Sequence, residues 1–377
     1  MTTVIGITEE GSMQRRDFIK AAAVAASGAA AGAACVAPAI AQDRRTLMMI
    51  TTWPKNTPGV GVNAERFAET VTALTAGRLT VKLHGAGELV PPFESLDAVA
   101  SGTADLCHSS PYYWVGKHKA FNYFTGVPFG LTAQEKAAWI AFGGGQQLWE
   151  ELYDGFGVQP FYAGSSGAQA GGWFRKEINS VDDFKGLKFR IAGLGGEVLR
   201  RMGTTTVMIP AGEIGPALMS GAVDGADWIG PWNDLAFGLY RAARYYYMPG
   251  LLEPGPSLEI IINKSVYESL ADDQKMAIRT AAAATAHETL ADFTYHNTQS
   301  LEPLLREHNV QLRHFGDDVI RALARHADEA LEELGASDPL TAKIHESFKA
   351  FLIQSRNYAP NAEGGFLRAR AMSMEAD

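Results

Sequence analysis

Among the polar residues of this sequence, Arg190 has surroundings that most favour chemistry with a ligand. Leu187, Phe189 and Ile191 alternate with Lys188 and Arg190, the period-2 signature of a half-buried strand. The strand runs into a glycine-rich corner at Gly193, Gly195 and Gly196, which places Arg190 at its end. A guanidinium offers a planar fork that fits a carboxylate through two hydrogen bonds, and it stays charged wherever it is placed. The chemistry on offer is therefore recognition of a small acid. The plain alternative is a structural ion pair with a nearby acid such as Glu197.

Catalytic readings find little support. The Gly193-x-Gly195-Gly196 run has Val198 where a dinucleotide fingerprint needs its last glycine. Ser165-Ser166 lacks the G-x-S-x-G elbow of a hydrolase nucleophile. The nine histidines form no H-x-x-x-H pair, and two cysteines, Cys35 and Cys107, are too few for a disulfide framework and have no metal-ligand spacing. A net charge of -9 argues against a nucleic-acid surface, so an anion would have to be held by local charge.

Several elements must position Arg190. The chain has 377 residues, 46% of them hydrophobic, enough for two domains with a substantial core. Arg15-Arg16, the weakly apolar run 21–37 and Ala39-Ile40-Ala41 read as a twin-arginine export signal over 1–41. Then strands at 47–51, 79–83 and 105–107 alternate with helices at 60–74 and after Pro92, the pattern of a mostly parallel, doubly wound sheet. The third strand leads into Pro111-Tyr112-Tyr113-Trp114. Ligands sit beyond the carboxyl ends of strands in such sheets, which makes Tyr112 and Tyr113 candidate site residues. Thr132 and Glu135 form a capping box. Glycines at 164, 167, 171 and 172 suggest a chain crossing between lobes, and the stretch from Tyr245 to Pro256 a second. A long helix is expected from Asp272 to about Leu301, ended by Pro303, with two more at 317–334 and 339–354.

Asp182-x-Phe184-Lys185-Gly186-Leu187-Lys188-x-Arg190, followed by Glu213-x-x-x-Ala217-Leu218-x-x-Gly221-x-x-Asp224-Gly225, resembles the solute-binding proteins of tripartite ATP-independent periplasmic (TRAP) transporters. Residues 167–175 and 228–232 look most like the branch that binds 2-oxo acids, and the resemblance runs through nearly the whole chain after residue 45. It implies an α/β, two-lobed, type II-like periplasmic binding fold with long C-terminal helices. Lobe I would span 43–165 and 256–305, and lobe II 166–255. Residues 306–377 would form helices packed on the lobes and pairing into a homodimer. It also implies that Arg190 clamps the ligand carboxylate, with Gln169, Tyr112, Tyr113 and Trp228 around it. The side chains of Gln169, Asp227 and Glu253, with the backbone carbonyl of Trp228, would hold a Na⁺ or Ca²⁺ that bridges to the ligand, since oxygen donors suit a hard cation. Those relatives commonly carry a glutamate where Asp227 stands, and the shorter arm bears on which ion fits.

The expected function is periplasmic capture of a small monocarboxylate, a 2-oxo or 2-hydroxy acid, for delivery to the membrane subunits of a TRAP transporter, without catalysis. The alternatives are a polyol, an aromatic or larger organic acid as ligand, a sensor as client, or an exported hydrolase.

Overall fold

The computed structural model describes residues 44–374; the expected export signal and Cys35 lie outside them. Two sheets organise the chain. The first contains β1 (Arg45–Thr51), β2 (Leu79–His84), β3 (Leu106–Ser109), β4 (Val158–Ser165) and β10 (Ser257–Asn263), in the order β2-β1-β3-β10-β4. The second contains β5 (Gly172–Phe174), β6 (Lys188–Arg190), β7 (Thr205–Val207), β8 (Gly225–Ala226), β9 (Tyr245–Tyr247) and β11 (Gln311–Arg313), in the order β11-β9-β5-β8-β6-β7.

The sheets are less parallel than expected, for a topological reason. β5 runs antiparallel to both its neighbours, and so does β10. Each is the first strand after the chain passes from one sheet to the other, so each enters its new sheet from the cleft side and runs away from it. β10 lies between β3 and β4 and is buried from Ser257 to Ile262, which is why its centre reads as an unbroken Ile260-Ile261-Ile262 and not as an alternation. Tyr245–Tyr247, expected within the second crossing, is strand β9; the crossing begins after it.

Helices cover the sheets as their apolar periodicity demands. In Val60–Leu74 the buried Val60, Ala64, Phe67, Ala68 and Val71 form the stripe facing the core. Thr132 and Glu135 exchange capping bonds at the start of the helix Ala133–Phe142. The longest helix, Asp272–Arg306, runs past Pro303 instead of ending before it. Buried Ser300 and Leu304 hold its last turn against the body of the protein, and Pro303 costs one backbone bond near an end that has few to lose.

This helix buries a stripe of small residues, among them Ala277, Ala281, Ala282, Thr285 and Thr289, and packs on β4, on Val60–Leu74 and on the helix Pro231–Phe237. The approach is so close that Gly164, at φ +105°, has no room for a Cβ: Thr289 would lie 2.7 Å from it. The helix leaves the first sheet after β10 and delivers the chain to β11 in the second, a third passage between the lobes. β11 is a strand where only helices were expected. Beyond it, Asp317–Gly335 packs on the helix Gly193–Arg201 of the second lobe, and Pro339–Tyr358 packs on Ala133–Phe142 and Gly145–Asp154 of the first. A further helix, Glu363–Met374, buries none of its residues. No helix among the described residues is long and apolar enough to cross a membrane.

Candidate functional site

The site begins with the pairing of β6 and β8. They run parallel with Arg190 opposite Ala226, so both strands end together and Asp227 emerges beside Arg190. The Asp227 amide donates to the Arg190 carbonyl (2.9 Å). Arg190 is buried, 1% exposed; its Nε donates to the Ile209 carbonyl (3.1 Å) and its Nη1 to the Asp227 carbonyl (2.5 Å). Two backbone acceptors thus hold the guanidinium in place, with the Trp228 ring 5.5 Å from its carbon. Nη2, also buried, has no partner among the described residues. A pinned fork with one donor nitrogen in reserve suits an incoming carboxylate. The alternative partner, Glu197, pairs instead with Arg200 and Arg201.

The other polar groups arrive on the two crossings. Segments 166–171 and 247–256 are bound to each other by backbone bonds: the Gln169 amide donates to the Glu253 carbonyl (3.3 Å), the Gly250 amide to the Gln169 carbonyl (2.7 Å) and the Gly171 amide to the Tyr247 carbonyl (2.7 Å). A Cβ on Gly250 would sit 2.7 Å from the Gln169 carbonyl oxygen, so that approach requires glycine. The Ala170 amide donates to the Ile229 carbonyl (2.9 Å), tying the first crossing to the segment after β8. Gln169, Trp228 and Glu253, far apart in sequence, are consequently neighbours.

Their oxygens converge. As placed, the Gln169 amide nitrogen donates to Ser166 Oγ (2.9 Å), while its oxygen position lies 3.0 Å from both Glu253 Oε2 and the Trp228 carbonyl oxygen. Left so, three acceptors face one another, an arrangement that either a cation or a turned amide resolves. Turning the amide over would let its nitrogen donate to both instead, filling the cation's role with two hydrogen bonds. The donor set therefore fits a hard ion. Among the described residues no three His, Cys, Asp or Glu side chains converge.

Charge strengthens the case. Asp227 and Glu253 are 4% and 3% exposed, and with the amide as placed no described group donates to either carboxylate. Burial pushes the Asp227 carboxyl up to about 8, with Arg190 opposing and Asp234 adding to the rise. Glu253 is raised well above the carboxylate range by burial and then by Asp227, again opposed by Arg190. One guanidinium does not offset two buried acids; a cation or protons must complete the balance.

Tyr112 and Tyr113 close the site from the first lobe, in the 3₁₀ turn Pro111–Trp114 at the end of β3, both 6% exposed. Burial raises both hydroxyls, and the Arg190 charge opposes the rise in each. They line a narrow cavity with Gln169 and Trp228, joined by Trp53, Val60, Ser110, Ser166 and Leu258. Trp53 was missed by sequence reasoning, although it follows β1 directly and the strand-end rule that selects Tyr112 would have selected it too. Asn233 was missed as well: its Nδ2 donates to the Pro58 carbonyl (2.7 Å) across the cleft, and no local pattern marks it.

A cleft between two α/β lobes linked by several crossings, with a buried arginine and two buried carboxylates at its seam, defines a two-lobed solute receptor. The chain belongs to the bacterial extracellular solute-binding proteins of family 7, whose model matches residues 49–338. It is 40% identical over 306 residues, 81% of this chain and 84% of the other, to a monocarboxylate 2-oxoacid-binding periplasmic protein of Nostoc sp.. A TRAP transporter solute-binding protein of Bordetella bronchiseptica, solved as a mixed-occupancy dimer with calcium and picolinate in one site, aligns with a TM-score of 0.86 at 32% identity, covering 89% of this chain and 99% of that one. Another from Pseudoalteromonas atlantica, with bound sodium and pyruvate, aligns with a TM-score of 0.84 at 37% identity, covering 86% and 99%.

Proposed function

We propose that this protein is the periplasmic receptor of a TRAP transporter and that it binds a small 2-oxo or 2-hydroxy monocarboxylate. Arg190 takes the carboxylate with its free nitrogen. Gln169, Asp227, Glu253 and the Trp228 carbonyl hold Na⁺ or Ca²⁺, which supplies positive charge and open coordination to ligand oxygens. Tyr112 and Tyr113 cover the bound acid from the first lobe, and the protein performs no catalysis. The reading draws on the relatives' ligands, but one observation carries it: a buried arginine with a donor to spare beside two buried carboxylates whose charge it cannot offset alone. An anion and a cation entering together satisfy all three.

Calorimetry of metal-stripped protein tests this, with pyruvate titrated in buffer containing EDTA, Na⁺ or Ca²⁺. One-to-one binding that strengthens with either ion is expected, with pyruvate recovered unchanged. Equal affinity in Na⁺-free EDTA buffer would refute the cation bridge. Turnover of pyruvate would favour an enzyme, and preference for a polyol or an aromatic acid would redefine the ligand.

A further inference from the structure

Asp234 lies in the helix Pro231–Phe237 with no exposure. Its Oδ2 accepts from Trp173 Nε1 (2.9 Å) and from the Tyr246 hydroxyl (2.8 Å). Those two residues are partners across β5 and β9, and their rings stack at 4.1 Å. The centre of the second sheet therefore anchors one edge of the carboxylate. Its Oδ1 accepts from the Ile229 amide at 3.4 Å, a long bond whose weight lies in orientation more than in strength.

That amide shares a peptide group with the Trp228 carbonyl. In a trans peptide the N–H and C=O point in opposite directions, and the cis bond found among the described residues is elsewhere, at Met248-Pro249. Holding the Ile229 N–H toward Asp234 therefore aims the Trp228 carbonyl away from it. There the carbonyl oxygen faces the Gln169 amide, 3.0 Å away, and the Glu253 carboxylate beside it. The next peptide is tied down as well, its Ile229 carbonyl accepting from the Ala170 amide (2.9 Å).

We propose that Asp234 is a positioning residue for the cation: braced by Trp173 and Tyr246, it sets the plane of the Trp228-Ile229 peptide and, by drawing on the N–H, makes the Trp228 carbonyl a better oxygen donor. A partner behind a ligand typically changes metal affinity by about 10- to 100-fold. The step rests on the cation reading above, and the effect is reciprocal: an ion pulling on the carbonyl makes the N–H a stronger donor to Asp234.

The test uses Ca²⁺ alone, titrated calorimetrically into the metal-stripped protein, its Asp234→Asn variant and a Trp173→Phe control. Asparagine keeps the shape but turns an amide nitrogen toward a donor. Trp173→Phe removes a brace from the same carboxylate and leaves the Ile229 contact. Asp234→Asn should lose about 10- to 100-fold in Ca²⁺ affinity, while Trp173→Phe, which loosens the carboxylate without removing it, should lower the melting temperature in EDTA and lose less Ca²⁺ affinity than Asp234→Asn. A folded Asp234→Asn protein with wild-type Ca²⁺ affinity would overturn the assignment. If that variant fails to fold, the wild type decides: Ca²⁺ should move the Ile229 amide proton downfield, and an unmoved resonance at saturating Ca²⁺ overturns the coupling. Wild-type protein that takes up neither Ca²⁺ nor Na⁺ would overturn the cation reading and this step with it.

Discussion

Replacing Arg190 with alanine separates what the guanidinium does for the fold from what it does for the ligand. Without ligand, the change orphans two carbonyls, Ile209 and Asp227, worth about 0.5–1.5 kcal/mol each as lost hydrogen bonds. It also removes the positive charge that opposes the rise of Asp227 and Glu253. The variant should therefore melt lower than wild type but still fold. With ligand, the loss is larger, because a carboxylate in a buried cleft is left without its partner, about 2 to 5 kcal/mol. That corresponds to a Kd raised by about 30-fold to several-thousand-fold. Arg190→Lys keeps the charge but lacks the fork that serves two carbonyls and a ligand together, so its affinity should fall between the two. The assay is calorimetry with pyruvate in Ca²⁺-replete buffer, beside circular dichroism and thermal unfolding. A folded Arg190→Ala protein that binds pyruvate with wild-type Kd would refute the carboxylate clamp.

Cation binding should release protons at neutral pH: the Asp227 carboxyl, pushed up to about 8 chiefly by burial, holds a proton below that pH unless a cation displaces it. Ca²⁺ affinity should therefore rise with pH toward about 8, and a calorimetric enthalpy independent of the buffer's ionisation heat at pH 7 would count against it. Asn233→Ala removes the 2.7 Å bond to the Pro58 carbonyl across the cleft; losing about 0.5–1.5 kcal/mol from the closed state should speed pyruvate release in stopped-flow fluorescence, and an unchanged off-rate would discount it. Glu259, buried under bonds from Trp114 and Tyr153, is raised from 4.5 to about 8 by burial. Its folded pKa lies above its unfolded one, so its stabilising contribution is full below about 4.5 and is lost as pH rises through about 8. Glu259→Gln should flatten the melting temperature between pH 5 and 9, and a profile as steep as wild type would exclude that acid as the source. Finally, Glu363–Met374 leaves Phe366 and Met372 exposed; the full chain should sediment as a homodimer and a chain ending at 362 as a monomer, and a full-length monomer at micromolar concentration would end this expectation.

What the sequence disclosed about the site divides by the range of the interactions involved. Arg190's place at a strand end was legible because its signals are local, a period-2 strand and a glycine corner within ten residues, whereas its role toward a carboxylate came from the family resemblance. Asp227 acquires its place only when β8 pairs with β6 across 36 residues of chain, and nothing local to Asp227 encodes that pairing. Gln169 and Glu253 are further still from local inference: they meet because the two crossings bond to each other, and only the family resemblance pointed to them. The same holds for the fold. The helix stripes and the capping box at Thr132 could be read residue by residue, whereas β11, three half-buried residues, is a strand only because β9 offers an edge for it. Pro303 misled for a related reason, since a rule about local backbone was outweighed by the burial of Ser300 and Leu304. Asp234 is the extreme case. An acid one turn into a short helix looks like an ordinary helix-start residue, and its link to the cation ligands runs through a tryptophan on β5, a tyrosine on β9 and a peptide five residues before it. Long-range pairing assembled this site, so its ligands should tolerate changes on the surface of their own segments better than changes in the strands that bring those segments together.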